Sequence, residues 1–306
     1  MAVDKQRLWF GVGLGDWSGA DVAATGEIVP QVVQADRDGL DLFAVADHPY
    51  FGQRLDAYAV LGFCLGQTSR ISGVVTVTNL PSRPAPVLAR TVTSLSALSS
   101  GRIVLGIGAG GSWDAITTLG VTRLTPAMAV VAMEEAITLV RTLSSGGEPV
   151  TFGGQVYRVS RLEPAPVPAP PVWTGAVGPK SLAVTGRLAD GWVPGRGADW
   201  LSAGYRESRP VIDEAAAAAG RDPAEIVTVY NFGGPITDSP LSPARDADGR
   251  WLGGTVRQWI DELTGAVVDH GASGFVYRAP DGIRPDIALA RWAHEIVPAV
   301  REAVSS

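Results

Sequence analysis

Cysteine occurs once in the 306 residues, at Cys64, so an internal disulfide and a thiolate zinc cluster are both excluded. Histidine is almost as scarce. His48, His270 and His294 lie far apart and form no H-x-H or H-E-x-x-H pattern, which argues against metal-dependent hydrolysis and any metal site. Basic residues are in deficit, 25 Lys and Arg against 31 Asp and Glu for a formal charge of −6, so a nucleic-acid partner is not expected. The longest apolar run, Ala127 to Met133, falls far short of the roughly 18 to 20 residues of a membrane span. The opening MAVDKQRLWF has no signal-peptide apolar segment. The expectation is a cytoplasmic chain without membrane partners, long enough for one large domain or two modest ones.

What is present is alternation of strand-like and helix-like segments from end to end. Strands are expected at Leu8 to Leu14, Leu42 to Ala46, Ile71 to Val77, Arg102 to Ile107, Pro171 to Ala176, Gly191 to Val193, Val227 to Phe232 and Gly274 to Tyr277. Helices follow each of them. Leu88, Val92, Leu95 and Leu98 share one helical face, and Val130, Met133, Ile137 and Val140 share another behind the Thr125-Pro126 cap. Pro210 should split the helix from Asp199 to Gly220 or kink it. Two segments break the alternation: 147–170, a small hairpin with a proline-rich connector, and 235–253, whose composition reads as a long mobile loop. Eight βα units in about 300 residues give the fold class α/β, a (β/α)8 TIM barrel with insertions before strand five and after strand seven. A doubly wound open sheet is the competing arrangement.

In a barrel the chemistry collects at the strand C-termini. Those ends carry Gly15, Asp16 and Trp17; Asp47, His48, Pro49 and Tyr50; Thr76, Thr78 and Asn79; Gly108 to Trp113; Gly175 to Lys180; and Tyr277 with Arg278. The GIGAGG at 106–111 looks like a dinucleotide fingerprint, yet it follows the fourth strand rather than the first, so a tight glycine turn explains it equally well. In VGPKS at 177–181, Pro179 in the first turn leaves backbone N–H groups and Ser181 at a helix start, an anion site suited to a phosphate. Asp47 and His48 make the one Asp-His pair at a strand end, where a histidine serves as acid, base or ring partner. Trp17, Tyr50 and Trp113 either line an aromatic cavity or pack the core.

These motifs, ADH at 46–48, SRPAPVLARTVTSLSALSSGRIVLGIGAGG at 82–111, EEAITLVRTLSSGGEPVTFGGQVY at 134–157, VWTGAVGPKSLAVTGRLADGWVP at 172–194 and GRDPAEI at 220–226, resemble the luciferase-like monooxygenase superfamily in order along nearly the whole chain. The resemblance implies a single barrel that binds coenzyme F420, a 5-deazaflavin hydride carrier, or FMN. It implies Asp47 and His48 beside the ring and a non-proline cis peptide at Val75–Thr76, with Thr78 nearby. Gly108, Ala109 and Gly110 and the turn Ala176, Val177, Gly178, Pro179, Lys180 and Ser181 would hold the ribityl and phosphate portions. His48, or Tyr50, would supply the proton, and Trp17 and Trp113 would face the substrate.

One departure bears on the reaction: deazaflavin-dependent sugar-phosphate dehydrogenases have a glutamate acid where this chain has Gly111. The leading expectation is an F420-dependent oxidoreductase acting on a small, apolar substrate, by analogy a homodimer served by a cofactor-reducing enzyme. The alternatives are an FMN-dependent monooxygenase, fed by a reductase, and a barrel that binds cofactor without turnover.

Overall fold

A computed structural model describes residues 8–14, 26–195, 197–280 and 285–305. Among the described residues, eight parallel strands make the wall of the main sheet, with the two-residue strand Thr78–Asn79 as a ninth: β1 Trp9–Gly13, β2 Leu42–Val45, β3 Ser72–Val75, β4 Ile103–Gly108, β5 Val172–Thr174, β6 Gly191–Trp192, β7 Val227–Gly233 and β8 Gly274–Arg278. Their order is β3-β2-β1-β8-β7-β6-β5-β4, and Gly73 and Val74 of β3 pair back with Ile103 and Val104 of β4, so the sheet closes. The helices α1 Ile28–Arg37, α2 Ala57–Gly66, α3 Ala85–Leu98, α4 Pro126–Thr142, α5 Pro179–Leu188, α6 Ala203–Ala218 and α7 Val256–His270 follow the first seven strands. This is the (β/α)8 TIM barrel expected; the open sheet is excluded by the closing pair.

The strands sort their side chains by alternation. Trp9 faces the lumen with Leu42, Val74, Val104, Trp173 and Val276, whereas Phe10 and Val12 join the core beneath the helices. Trp9 meets Trp173 edge to face at 5.7 Å and fills the N-terminal end of the barrel. Helix ends follow the sequence signals. Asp56 caps α2 by accepting from the backbone of Tyr58 and Ala59, Thr125 caps α4, and Thr255 with Gln258 forms a capping box on α7. Met133, Ile137 and Val140 of α4 are buried, at roughly 1.5 to 3 kcal/mol each by area.

The expectations for the third strand, Pro210 and segment 235–253 need correction. The third strand does not run unbroken to Val77: it stops at Val75, a cis peptide joins Thr76 to Val77 rather than Val75 to Thr76, and Thr78–Asn79 resumes pairing with Ile107 and Gly108. The physical reason is that Val75 is held in the ladder opposite Val45, and Thr76 still donates to the Val45 carbonyl, so the break falls one residue later. Pro210 lies inside α6 without dividing it, on an exposed face where water can serve the carbonyl it leaves unbonded. The C-terminal helix is interrupted: Pro285–Arg291 and Val297–Ser305 are joined by a π-turn over Trp292–Ile296, just ahead of Pro298, which has no N–H to donate. Segment 235–253 is tied down rather than loose. Ile236–Thr237 pairs with Gly254–Thr255, Trp251 is buried, and Arg245 grips Asp199 at 3.0 Å together with Glu262. Within 147–170 the expected hairpin is present, Val150–Gly153 against Arg158–Leu162.

Candidate active site

Two cavities open at the C-terminal mouth of the barrel and meet at Thr76, which lines both. The first, about 480 Å³, is bounded by the ends of β2 to β5. Asp47, His48, Tyr50, Thr76, Thr78, Gly108, Ala109, Gly110, Ala176, Val177, Gly178 and Ser181 line it, so the sequence expectation brought most of its residues to one place. Pro179 and Lys180 sit exposed on the first turn of α5 just beyond that lining, and Trp113 is half-buried at the start of a short helix one residue past it. Val75 is buried in the core beneath the helices. Gly15, Asp16 and Trp17 lie outside the described residues.

His48 and Tyr50 form a pair, with the imidazole Nδ1 2.6 Å from the phenol oxygen, close enough to share a proton. Asp47 has a different task. Its Oδ2 accepts from the Asn79 backbone at 2.9 Å and from Arg83 Nε at 3.1 Å, and its Oδ1 from Arg83 Nη2 at 3.1 Å. Arg83 also donates to Asp56 at 2.6 Å and lies over the Tyr58 ring, whose hydroxyl meets Thr78 Oγ1 at 2.7 Å. Burial alone would raise the Asp56 carboxyl, but Arg83 and the two capping N–H groups hold it below the ordinary value. Burial pushes the Tyr58 hydroxyl well above the usual phenol range, so it stays protonated. Asp47 and Thr78 are thus fixed from behind, and the strand-two loop that bears His48 is fixed with them.

The floor of this cavity is made by close backbone approach. A Cβ on Gly108 would stand 2.7 Å from Val77 Cγ2, and one on Gly175 2.8 Å from the same atom, so both glycines make room for Val77. Opposite, α5 begins at Gly178 with Pro179 in its first turn, no side-chain cap and no acidic residue, leaving N–H groups and the positive end of the helix toward the cavity. Among the described residues beyond its chain neighbours, only Ser181 Oγ, at 3.8 Å, would touch a Cβ on Gly178. Asn79 is buried on the wall with its Oδ1 unpartnered among the described residues.

Sequence reasoning missed Val77 and Arg83. No pattern in the sequence marks Arg83, which the fold brings to Asp47 from 36 positions away. Among the described residues, no group of His, Cys, Asp and Glu could hold a metal ion, and no helix is long and apolar enough to cross a membrane.

Known proteins share both the sequence pattern and the fold. The F420-dependent glucose-6-phosphate dehydrogenase of Kineococcus radiotolerans is 28% identical, over 94% of this chain and 97% of its own. A Mycobacterium tuberculosis phthiodiolone/phenolphthiodiolone dimycocerosates ketoreductase is 32% identical over 58% of this chain and 47% of its own. An F420-dependent secondary alcohol dehydrogenase, solved with an F420-acetone adduct, superimposes with a TM-score of 0.78 at 20% identity, over 96% of this chain and 99% of that one. A riboflavin lyase solved with modified FMN gives 0.77 at 16%, over 97% and 92%. The family model described as luciferase-like monooxygenase matches residues 8–270, and the chain belongs to that family.

Proposed function

We propose that this chain is an oxidoreductase that transfers a hydride between coenzyme F420 and a small, largely apolar organic substrate. The observation that carries the reading is one cavity holding a helix N-terminus, an unpartnered buried Asn79 oxygen and the His48–Tyr50 pair. These fit a deazaflavin: the N–H groups at the start of α5 would take its phosphate, the Gly108–Gly110 backbone its ribityl chain, and Asn79 Oδ1 a ring N–H. Bound there, the deazaflavin supplies a two-electron hydride site at its ring C5. The protein's own part is to bind and orient the ring, to keep Thr78 and the His48 loop in place through Arg83, and to hold a proton between His48 Nδ1 and Tyr50 for the substrate oxygen. The Kineococcus relative, matched over almost its full length, supports F420. Gly111 stands where sugar-phosphate dehydrogenases of this kind place a glutamate, so glucose 6-phosphate is not the substrate proposed.

Likeness to the riboflavin lyase keeps FMN chemistry as the second reading. Titrating the protein with F420 and with FMN, following its tryptophan fluorescence, separates the two. Tight F420 binding supports hydride transfer; preference for FMN replaces it with an oxygen-using enzyme fed by a reductase. Binding of either without turnover across a broad substrate panel would leave the inactive barrel. His48→Ala should cut turnover by about 10²-fold or more while leaving cofactor affinity within a few-fold, and an unchanged rate removes His48 from catalysis. We read the chain as one catalytic unit with 147–170 and 235–253 as insertions, acting in the cytoplasm. Exposed Phe63, Val87 and Leu98 on α2 and α3 support a homodimer, which light scattering would test.

A further inference from the structure

The N–H groups at the start of α5 can hold a phosphate only if they stand at a fixed height and tilt against the end of β5, because hydrogen bonds weaken steeply with distance and angle. Pro179 has no N–H, and among the described residues the first N–H of this helix with a backbone partner is that of Leu182, which donates to the Gly178 carbonyl at 2.9 Å. The Ser181 hydroxyl adds no donor, since its hydrogen is directed to the same Gly178 carbonyl at 2.8 Å. The N–H groups of Lys180 and Ser181 are left for a ligand. A buried line of hydroxyls sets where they stand. Thr174, the last residue of β5, and Thr185, in the second turn of α5, are both 0% exposed, with their Oγ1 atoms 2.6 Å apart. Thr185 Oγ1 also lies 3.0 Å from the Ser181 carbonyl, which can only accept. Each threonine hydroxyl carries one hydrogen. The arrangement that uses both therefore runs from Thr174 to Thr185 to the Ser181 carbonyl, and it joins the strand end to the first turn of the helix.

Trp192 of β6 adds a second tie. Its indole N–H donates to the Ala176 carbonyl at 2.9 Å, within the apolar cluster of Leu182, Ile212 and Ala216, so that this carbonyl is engaged on the helix side of the sheet. The far end of α5 is held separately, by Arg221 on the Gly186 and Ala189 carbonyls at 2.7 and 2.8 Å. Folding alone does not require the threonine pair: two buried hydroxyls that meet each other contribute little net stability, and two methyl groups of the same shape serve about as well. What the pair adds to the contacts of Leu182 and Val184 is direction, which apolar packing lacks. We propose that Thr185, through Thr174, is a positioning residue for the cofactor phosphate: the hydroxyl line fixes the N–H groups of α5 and contributes to affinity only when the ligand carries a phosphate. The proposal rests on the reading of this helix start as a phosphate site, in a cavity where the buried, unpartnered Asn79 oxygen separately calls for a ligand.

The test compares two ligands on the intact protein, the ring-and-ribityl fragment of F420 and the same fragment carrying a terminal phosphate. Their affinity ratio, read by fluorescence titration, isolates the phosphate. The unaltered protein should bind the phosphorylated fragment at least about tenfold more tightly. Thr185→Val should cut that ratio about fivefold while affinity for the phosphate-free fragment stays within about twofold. Thr185→Ser keeps the hydroxyl and should restore the ratio. If Thr185→Val does not fold, Thr174→Val/Thr185→Val leaves no hydroxyl without its partner, so it should melt with the unaltered protein yet show the same loss of ratio. A ratio unchanged in the valine variants, or an equal loss for the two fragments, would overturn the proposal and leave the phosphate site standing. An unaltered protein indifferent to the phosphate would overturn the site itself, and the positioning role with it.

Discussion

Replacing Arg83 with methionine keeps an unbranched apolar side chain over Tyr58 and deletes the guanidinium. Asp47, whose side chain is 1% exposed, loses two of its three hydrogen bonds and its counter-charge, keeping the Asn79 N–H. Breaking a buried pair in this way costs about 3 to 5 kcal/mol, because one charge is left uncompensated. Asp56 adds little: its side chain is 48% exposed and keeps its two capping N–H groups, so that arm is worth under about 1 kcal/mol. A chain of this size loses roughly 2 °C of melting midpoint per kcal/mol, which gives a fall of about 6 °C or more. Asp47→Asn alone should cost less, about 1 to 2 kcal/mol, since Arg83 is 21% exposed and still holds Asp56. The decisive comparison is Asp47→Asn/Arg83→Met, which removes both charges and should recover about half of the single-variant loss. Thermal and urea midpoints of the four proteins measure it. An Arg83→Met loss below about 1 kcal/mol, or a double variant no more stable than Arg83→Met, refutes the uncompensated-charge argument.

Gly178→Asp separates stability from binding. An aspartate at the N-cap of α5 should stabilise the helix by about 0.5 to 1 kcal/mol, yet it occupies the N–H groups offered to a phosphate. The melting midpoint should rise while F420 affinity falls at least about tenfold; unaltered affinity would put the phosphate elsewhere. Asp36 gives a pH dependence. Burial would raise its carboxyl, but N–H groups of Ser69, Ile71 and Arg70 and the Ser69 hydroxyl hold it below the ordinary value. A carboxyl depressed in the folded state contributes stability above its unfolded value and loses that contribution as pH falls through the folded one. Asp36→Asn should therefore be less stable at pH 7 and show a shallower loss below about pH 4, which unfolding midpoints between pH 7 and 2.5 would reveal.

The alternation of elements was enough to place the eight strands, because each is a short apolar run, but eight βα units suit an open doubly wound sheet as well, and only the pairing of Gly73 and Val74 with Ile103 and Val104 closes the barrel. Finer features needed three dimensions. Nothing in SGVVTVTN says that the ladder holds Val75 and Thr76 and breaks only after them, which is what puts Val77 rather than Val75 at the cavity. The Asp-His pair was legible as a site, but not its division of labour, since only the fold brings Arg83 from 36 positions away to neutralise Asp47 and leave His48 to Tyr50.

The inward glycines of β1 have unlike consequences for how this lumen could change. A Cβ on Gly11 would stand 2.6 Å from the Leu42 carbonyl oxygen, so any side chain there forces two backbones apart. Two residues on, the nearest atoms to a Cβ on Gly13 among the described residues are Val276 Cγ1 and Arg278 Cβ at 3.5 Å and the Asn231 amide oxygen at 3.7 Å, ordinary contact distances. A methyl group at residue 13 therefore meets lumen-facing side chains of β7 and β8 at ordinary contact distances. Single substitutions at Gly13 can narrow this end of the lumen, while Gly11 keeps the wall in register.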